Sequence, residues 1–185
     1  VTDIRDLTSV RAWTRPLAFR VERHDAHRWF TLAALGGLVL GGLMAVFGLP
    51  PVDVHGLAHY FGIMDPMCGG TRSVWAAMSG DWKMSFTYNP IGIPLVVGAV
   101  ATLIRAAIGA ATGYWLNTYV RSWPVVAAVS AVLFVALAIN QQLHADLLRT
   151  PGEEFSPVGP ILNALPLLIV WTVVTVRGRM MRRRG

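Results

Sequence analysis

The chain has 185 residues, 54% of them apolar and only 14% charged, with sixteen basic against ten acidic side chains for a net charge of +6. Ordinary soluble domains carry about a quarter charged residues, so the composition excludes one, and the lone Cys68 excludes an intramolecular disulfide. The basic excess lies beside apolar runs, with Arg5, Arg11, Arg15, Arg20, Arg23 and Arg28 before the first and Arg177, Arg179, Arg182, Arg183 and Arg184 after the last. That is the positive-inside pattern of a membrane protein and argues against a nucleic-acid partner. Fifteen arginines to one lysine, with abundant Ala, Gly and Val, fit a GC-rich bacterial coding sequence.

Residues 1–28 read as a basic cytoplasmic segment. Ile4, Leu7, Val10, Trp13 and Leu17 recur at near-helical spacing, so part of it is expected on the membrane surface, with a loosely ordered tail as the alternative. No small-x-small site follows the first apolar run, so no cleavable signal peptide is expected. The first span is 29–49, ended by Pro50-Pro51. Gly37, Gly41 and Ala45 give it a small-residue face for a neighbouring helix.

The outer segment 50–90 carries the chain's most distinctive chemistry. Thr71 is expected to cap a short helix closed by Gly80, with Trp75, Met78 and Trp82 on one face as interfacial anchors or as a packing surface. Arg72 opposes the positive end of that helix dipole and suggests a counter-charge, Asp65, a lipid phosphate or a partner carboxylate, with a surface arginine that has no partner as the alternative. The amides after Gly69-Gly70 would share such an anion with Thr71 and Arg72.

The second span is 91–113, opened by Asn89-Pro90. Arg105 lies roughly 21 Å along it and is expected to snorkel to the cytoplasmic headgroups, with a functional buried charge as the alternative. Tyr114, Trp115, Tyr119 and Trp123 gather around a short inner loop with Arg121, as interfacial aromatics do. The third span, 123–141, ends in Asn140, Gln141 and Gln142; an acidic outer loop follows, with His144, Asp146, Glu153 and Glu154. The fourth span, 157–176, contains Pro160 in its first turn and an interior Pro166 that should kink it, and 177–185 is a basic cytoplasmic tail. The chain thus reads as an all-α integral membrane protein of four transmembrane helices with both termini cytoplasmic. A domain of four spans, 29–176, lies between two basic segments, with the motif loop periplasmic or extracellular.

Cys68 then faces an oxidising side, where a free thiol persists if buried, ligated to metal or paired with another chain. His55 and His59 share a helical face, and Asp65-Pro-Met-Cys68 has the gap of a chelating pair; Asp53, His144 and Asp146 stand near in sequence or across the membrane surface. Thiolate, imidazole and carboxylate together suit zinc, with a buried Cys68 and interfacial histidines as the alternative.

Residues 65–72, DPMCGGTR, together with Gly80-Asp81 and Asn89-Pro90, resemble the bacterial membrane-protein family called domain of unknown function 2752. Its signature is Cys-Pro-x-Cys-Gly-x-Thr-Arg, then a short apolar helix, Gly-Asp and Asn-Pro. Pro66, Cys68, Gly69, Thr71, Arg72, Gly80, Asp81, Asn89 and Pro90 match it, and the resemblance covers roughly residues 30–143. Asp65 stands where the family has its first motif cysteine, and His55 where members often carry another. If those cysteines bind metal, His and Asp can still coordinate; if they form disulfides, Cys68 is a remnant.

The family has no established activity. Small size, glycine-lined spans and few intramembrane charges point to a non-enzymatic accessory or assembly subunit of a larger membrane complex, in contact with a membrane-protein partner or a second copy. A metal-binding or metalloenzyme site at Cys68, Asp65, His55 and His59 is the alternative, and a small transporter or lipid-handling protein the second. No Ser-His-Asp arrangement, phosphate loop or dinucleotide fingerprint is present.

Overall fold

Three apolar runs become three long helices, and the polar stretches between them fold against the helix ends. The computed structural model describes residues 16–50, 55–149, 155–161 and 164. In order these form β1 (Leu17–Glu22), α1 (Arg28–Phe47), α2 (Leu57–Tyr60), α3 (Gly70–Met78), α4 (Trp82–Tyr88), α5 (Gly92–Thr112), β2 (Trp115–Val120), α6 (Trp123–Leu143) and α7 (Ala145–Leu148). Helices α1, α5 and α6 have 20, 21 and 21 residues and are long and apolar enough to cross a membrane. They match the first three expected spans to within two residues at each end. Residues 158–161 and 164 are helical, and the others of the expected fourth span lie outside the described residues. So do Ile4, Leu7, Val10 and Trp13, Asp53, Glu153 and Glu154, and the tail 177–185.

The helices alternate in direction, which sorts the chain into two ends. One holds β1, the residues leading into α1, and β2. The other holds α2, α3, α4 and α7. Helix α5 packs on α1, and α3 wedges against both of them. Gly41 of α1 admits α3: a β-carbon there would lie 3.0 Å from Met78 Cγ and 3.4 Å from Val74 Cγ1, whereas one at Gly37 would meet nothing within 4 Å. Of the small-residue face, Gly41 therefore makes the close approach.

The expectation of an all-helical chain is corrected at the first of these ends. Leu17–Glu22 and Trp115–Val120 pair as an antiparallel two-stranded ribbon, from Leu17 opposite Val120 to Glu22 opposite Trp115. Alternation explains it. Leu17, Phe19 and Val21 point to one face with Leu116, while Glu22, Asn117 and Tyr119 point to the other. The second face lies against the last two turns of α5, with Trp115 on Gly109, where a β-carbon would come within 2.4 Å of the indole.

Arg105 ties the ribbon to the helices. Within the chain it forms an ion pair with Asp25 at 2.7 Å, donates to Asn117 Oδ1 at 2.7 Å, and donates through Nε to the Leu116 carbonyl. Asn117, fully buried, donates in turn to Glu22 and the His24 carbonyl, and Tyr119 donates to Glu22 at 2.7 Å. Burial opposes ionisation of Asp25, but the Arg105 hydrogen bond, the His27 amide and the guanidinium charge outweigh it and hold its carboxyl below the usual range. The Tyr119 and Asn117 hydrogen bonds lower Glu22, and the same contact to Glu22 raises Tyr119.

Candidate functional site

Between α2 and α3 the backbone turns twice. Cys68 N donates to the Asp65 carbonyl at 3.0 Å and Gly70 N to the Met67 carbonyl at 2.8 Å. Asp65 stabilises the first turn with its side chain, Oδ1 accepting from Met67 N at 2.8 Å, the local bond by which aspartate favours turns. Its other oxygen accepts from Cys68 Sγ at 3.3 Å.

The sulfur is buried at 3% exposure, with His59 Nδ1 3.6 Å away and itself 1% exposed. A thiol has one proton; given to Asp65, it leaves the sulfur lone pairs to accept from the Nδ1–H tautomer of His59. The His55 ring lies parallel on His59, centroids 3.7 Å apart and planes within 2°. The structure thus brings Cys68, Asp65 and His59 into contact and adds His55 through His59. Yet among the described residues no three His, Cys, Asp or Glu side chains are arranged to hold a metal ion. His144 and Asp146 are exposed, and His144 Nδ1 sits 2.8 Å from the Asn140 carbonyl.

The motif glycine sets the direction of α3. Gly69, and not Thr71, is the residue before the helix, at φ +72°. A side chain there would be strained by the left-handed backbone and would also collide, since a β-carbon would lie 2.8 Å from the Tyr88 carbonyl oxygen. Thr71 stands in the first turn, half-buried, because the helix begins two residues earlier than its capping chemistry suggests. Gly80, at φ +85°, follows the helix end as expected.

A knot of buried amides and hydroxyls fastens this loop to two spans. Asn89 Nδ2 donates to the Pro66 and Cys68 carbonyls, each at 2.9 Å, while its Oδ1 accepts from Ile91 N at 3.0 Å. From the end of α6, Gln141 Nε2 donates to the same Cys68 carbonyl and to the Tyr88 carbonyl. Ser73 Oγ reaches the Ser85 and Asn89 carbonyls at 2.8 and 2.7 Å. Ser73, Ser85, Asn89 and Gln141 are all 0% exposed; in so apolar a surrounding each unpaired group would cost about 1–3 kcal/mol. Gly92 completes the fit, because a β-carbon there would overlap Ser73 Oγ at 1.9 Å.

The remaining motif side chains face outward from this knot. Arg72 Nη1 donates to the Leu148 carbonyl at 3.4 Å, at the C-terminal end of α7 where a cation is favoured. Leu148 is fully buried and forms with Met64 and Cys68 a small apolar core flanked by Tyr88 and Ala145. Gly70 is buried with Ser73, Ala76 and Ala77 on the inner face of α3; Trp75 and Met78 are half-buried, and Trp82 is exposed as the first residue of α4. The helix therefore buries its small residues, and meets Gly41 of α1 through Val74 and Met78.

Residues 57–103 match the model of a family described as protein of unknown function (DUF2752). The match agrees with the resemblance drawn from the motif. It runs from α2 into α5 and takes in every member of the knot except Gln141. No curated protein and no solved structure gives a significant match. Within the DUF2752 region the geometry assigns physical tasks to motif positions: Gly69 for close approach and positive φ, Asn89 for two carbonyls of the loop.

Sequence reasoning missed Gln141, Ser73 and the ribbon-end network. Gln141 had a signal, an amide just after an apolar run of fifteen residues from Val125 to Ile139 broken by one serine, but such residues also mark an ordinary interface. Ser73 had none, since a serine in an amphipathic helix is unremarkable.

Proposed function

We propose that the chain is a multi-pass protein of the bacterial cytoplasmic membrane that serves as an accessory or assembly subunit of a larger membrane complex, without catalytic activity of its own. Four spans place the arginine-rich segments and the β1–β2 ribbon on the cytoplasmic side and the Cys68 loop on the outer side. The arginine distribution supports this orientation. The observation that supports the role is that the motif's polar groups are engaged inside the fold. Asn89, Ser73, Gln141 and the Cys68 carbonyl bind one another's segments, which suits an architectural element that presents a shaped outer surface. Crosslinking in cells followed by purification in mild detergent should recover a stoichiometric membrane partner or a second copy. Repeated recovery of an isolated monomer overturns the role.

A second reading is favoured by one observation, the meeting of Asp65, Cys68 and His59 at a single sulfur. Metal capture there, with His55 as a further donor, would take a thiolate, a carboxylate and imidazoles, the donor set of zinc. The present arrangement does not place three donors around one point, so an ion would have to draw them together. Elemental analysis of the purified protein and of Cys68→Ala tests this. Metal absent, or unchanged in the variant, removes it.

A further inference from the structure

The β1–β2 ribbon exposes apolar side chains on the face turned away from α5. Leu17, Phe19, Val21 and Leu116 share that face by the strand register, at 42%, 64%, 66% and 47% exposure. Such a row is unexpected on a surface bathed in water.

Position identifies what it meets. Only Gly113 and Tyr114 separate α5 from β2, Arg121 and Ser122 separate β2 from α6, and five residues separate β1 from α1. Three candidate spans thus converge on the ribbon. It runs beside α5 from Thr112 back to Arg105, about 10 Å at helical rise, which spans the interfacial layer and the margin of the hydrocarbon. Strand edges with unpaired backbone groups are not tolerated deeper than that. The edge of β2 is already closed by its own chain: Arg105 Nε holds the Leu116 carbonyl, and the His27 ring nitrogen sits 2.8 Å from Thr118 O and 3.1 Å from Thr118 N. Addition of a partner strand there is blocked, and the apolar face remains as the contact surface.

Charge gives the second half of the argument. Arg20, Arg23, Arg28 and Arg121 are exposed around the ribbon, while the nearby acids Glu22 and Asp25 are turned into the Asn117 and Arg105 network. Three of these cations lie over aromatic rings, Arg20 on Tyr119 at 5.6 Å, Arg23 on Tyr114 at 4.5 Å and Arg28 on Trp29 at 5.2 Å. Arginine over an interfacial aromatic is suited to phosphate at the headgroup level.

We propose that the ribbon is a lipid-binding element, seated with Leu17, Phe19, Val21 and Leu116 in the acyl boundary and its arginines on anionic headgroups. This rests on the membrane-crossing reading of the three long helices. The full chain carrying Phe19→Cys, Val21→Cys or, as a reference within α6, Val132→Cys is labelled with an environment-sensitive fluorophore. It is then reconstituted into phosphatidylcholine vesicles with or without phosphatidylglycerol. Wild-type protein is the blank for buried Cys68, and uptake of one label per chain rather than two reports an intact fold in each variant.

Labels at 19 and 21 should emit to the blue and be quenched by nitroxide lipids, more strongly with phosphatidylglycerol present. Quenching by aqueous iodide instead overturns the proposal. So does shielding from both quenchers, which would mean that residues 1–15, a second copy or another protein covers the face. Equal quenching in both vesicle types overturns the headgroup preference. A label at 132 that escapes the nitroxide lipids would defeat the membrane reading itself, whereas quenching at 132 but not at 19 and 21 defeats only the ribbon.

Discussion

Two glycines at positive φ separate the costs that coincide at the motif. Gly69 and Gly80 sit at +72° and +85°. A β-carbon at Gly80 would meet nothing within 4 Å, but one at Gly69 would lie 2.7 Å from Leu148 Cδ2 and 2.8 Å from the Tyr88 carbonyl oxygen. Alanine in the left-handed region costs about 1–2 kcal/mol at either position. At Gly69 the Tyr88 oxygen is main chain, held at 2.9 Å by Gln141, and cannot swing aside; forcing a methyl group into such a place adds about 1–3 kcal/mol. Gly69→Ala should therefore lose about 2–5 kcal/mol and Gly80→Ala about 1–2 kcal/mol. Cys68, the sole thiol and buried beside Gly69, supplies the probe. A fluorogenic maleimide reports its exposure as each variant in mild detergent is titrated with dodecyl sulfate. Equal losses at the two positions would refute the close packing of Gly69 on Tyr88 and Leu148.

Asn89→Ala leaves the Pro66 carbonyl buried without its donor and should cost about 1–3 kcal/mol in the same titration, whereas Thr87→Ala, altering an exposed hydroxyl, should stay within about 0.5 kcal/mol. Gly92→Ala should destabilise strongly, and Ser73→Ala combined with it should recover part of the loss by removing the overlapping hydroxyl; additive losses would contradict the 1.9 Å approach. Because the folded pKa of Asp25 is depressed, its bond to Arg105 contributes stability above the unfolded carboxylate pKa, lost as pH falls through the lower folded value. Wild-type stability should thus decline below about pH 4, and Asp25→Asn should flatten that decline, as followed by the thiol probe with an acid-tolerant disulfide reagent.

The long helices were legible because a bilayer demands uninterrupted apolar length, and α1, α5 and α6 supply it in plain sequence. The motif was legible as a unit for a different reason: Gly69, Gly80 and Asn89 are residue types whose use is local and conformational. The ribbon was not, since LAFRVE and WLNTYV are only six residues each and lie far apart. Their alternation is visible once paired, but a basic lead and an aromatic inner loop account for the same letters. For α3, periodicity weights Trp75, Met78 and Trp82, of which Met78 meets α1 at Gly41, while the buried face of Ser73, Ala76 and Ala77 carries no such signal. Asp65, Cys68 and His59 were named as chemistry that belongs together. Their contact arises from a turn that aspartate itself builds.

The partner of β1 is synthesised roughly a hundred residues after it, a separation that makes such closure slow. During translation the first strand must wait, unmatched, while two hydrophobic helices leave the ribosome and enter the bilayer. Only when Val120 has emerged can Leu17 settle opposite it. The last knot tied at that end thereby depends on both insertions having succeeded, because a chain that failed to thread one of the two helices would leave its strands on opposite shores.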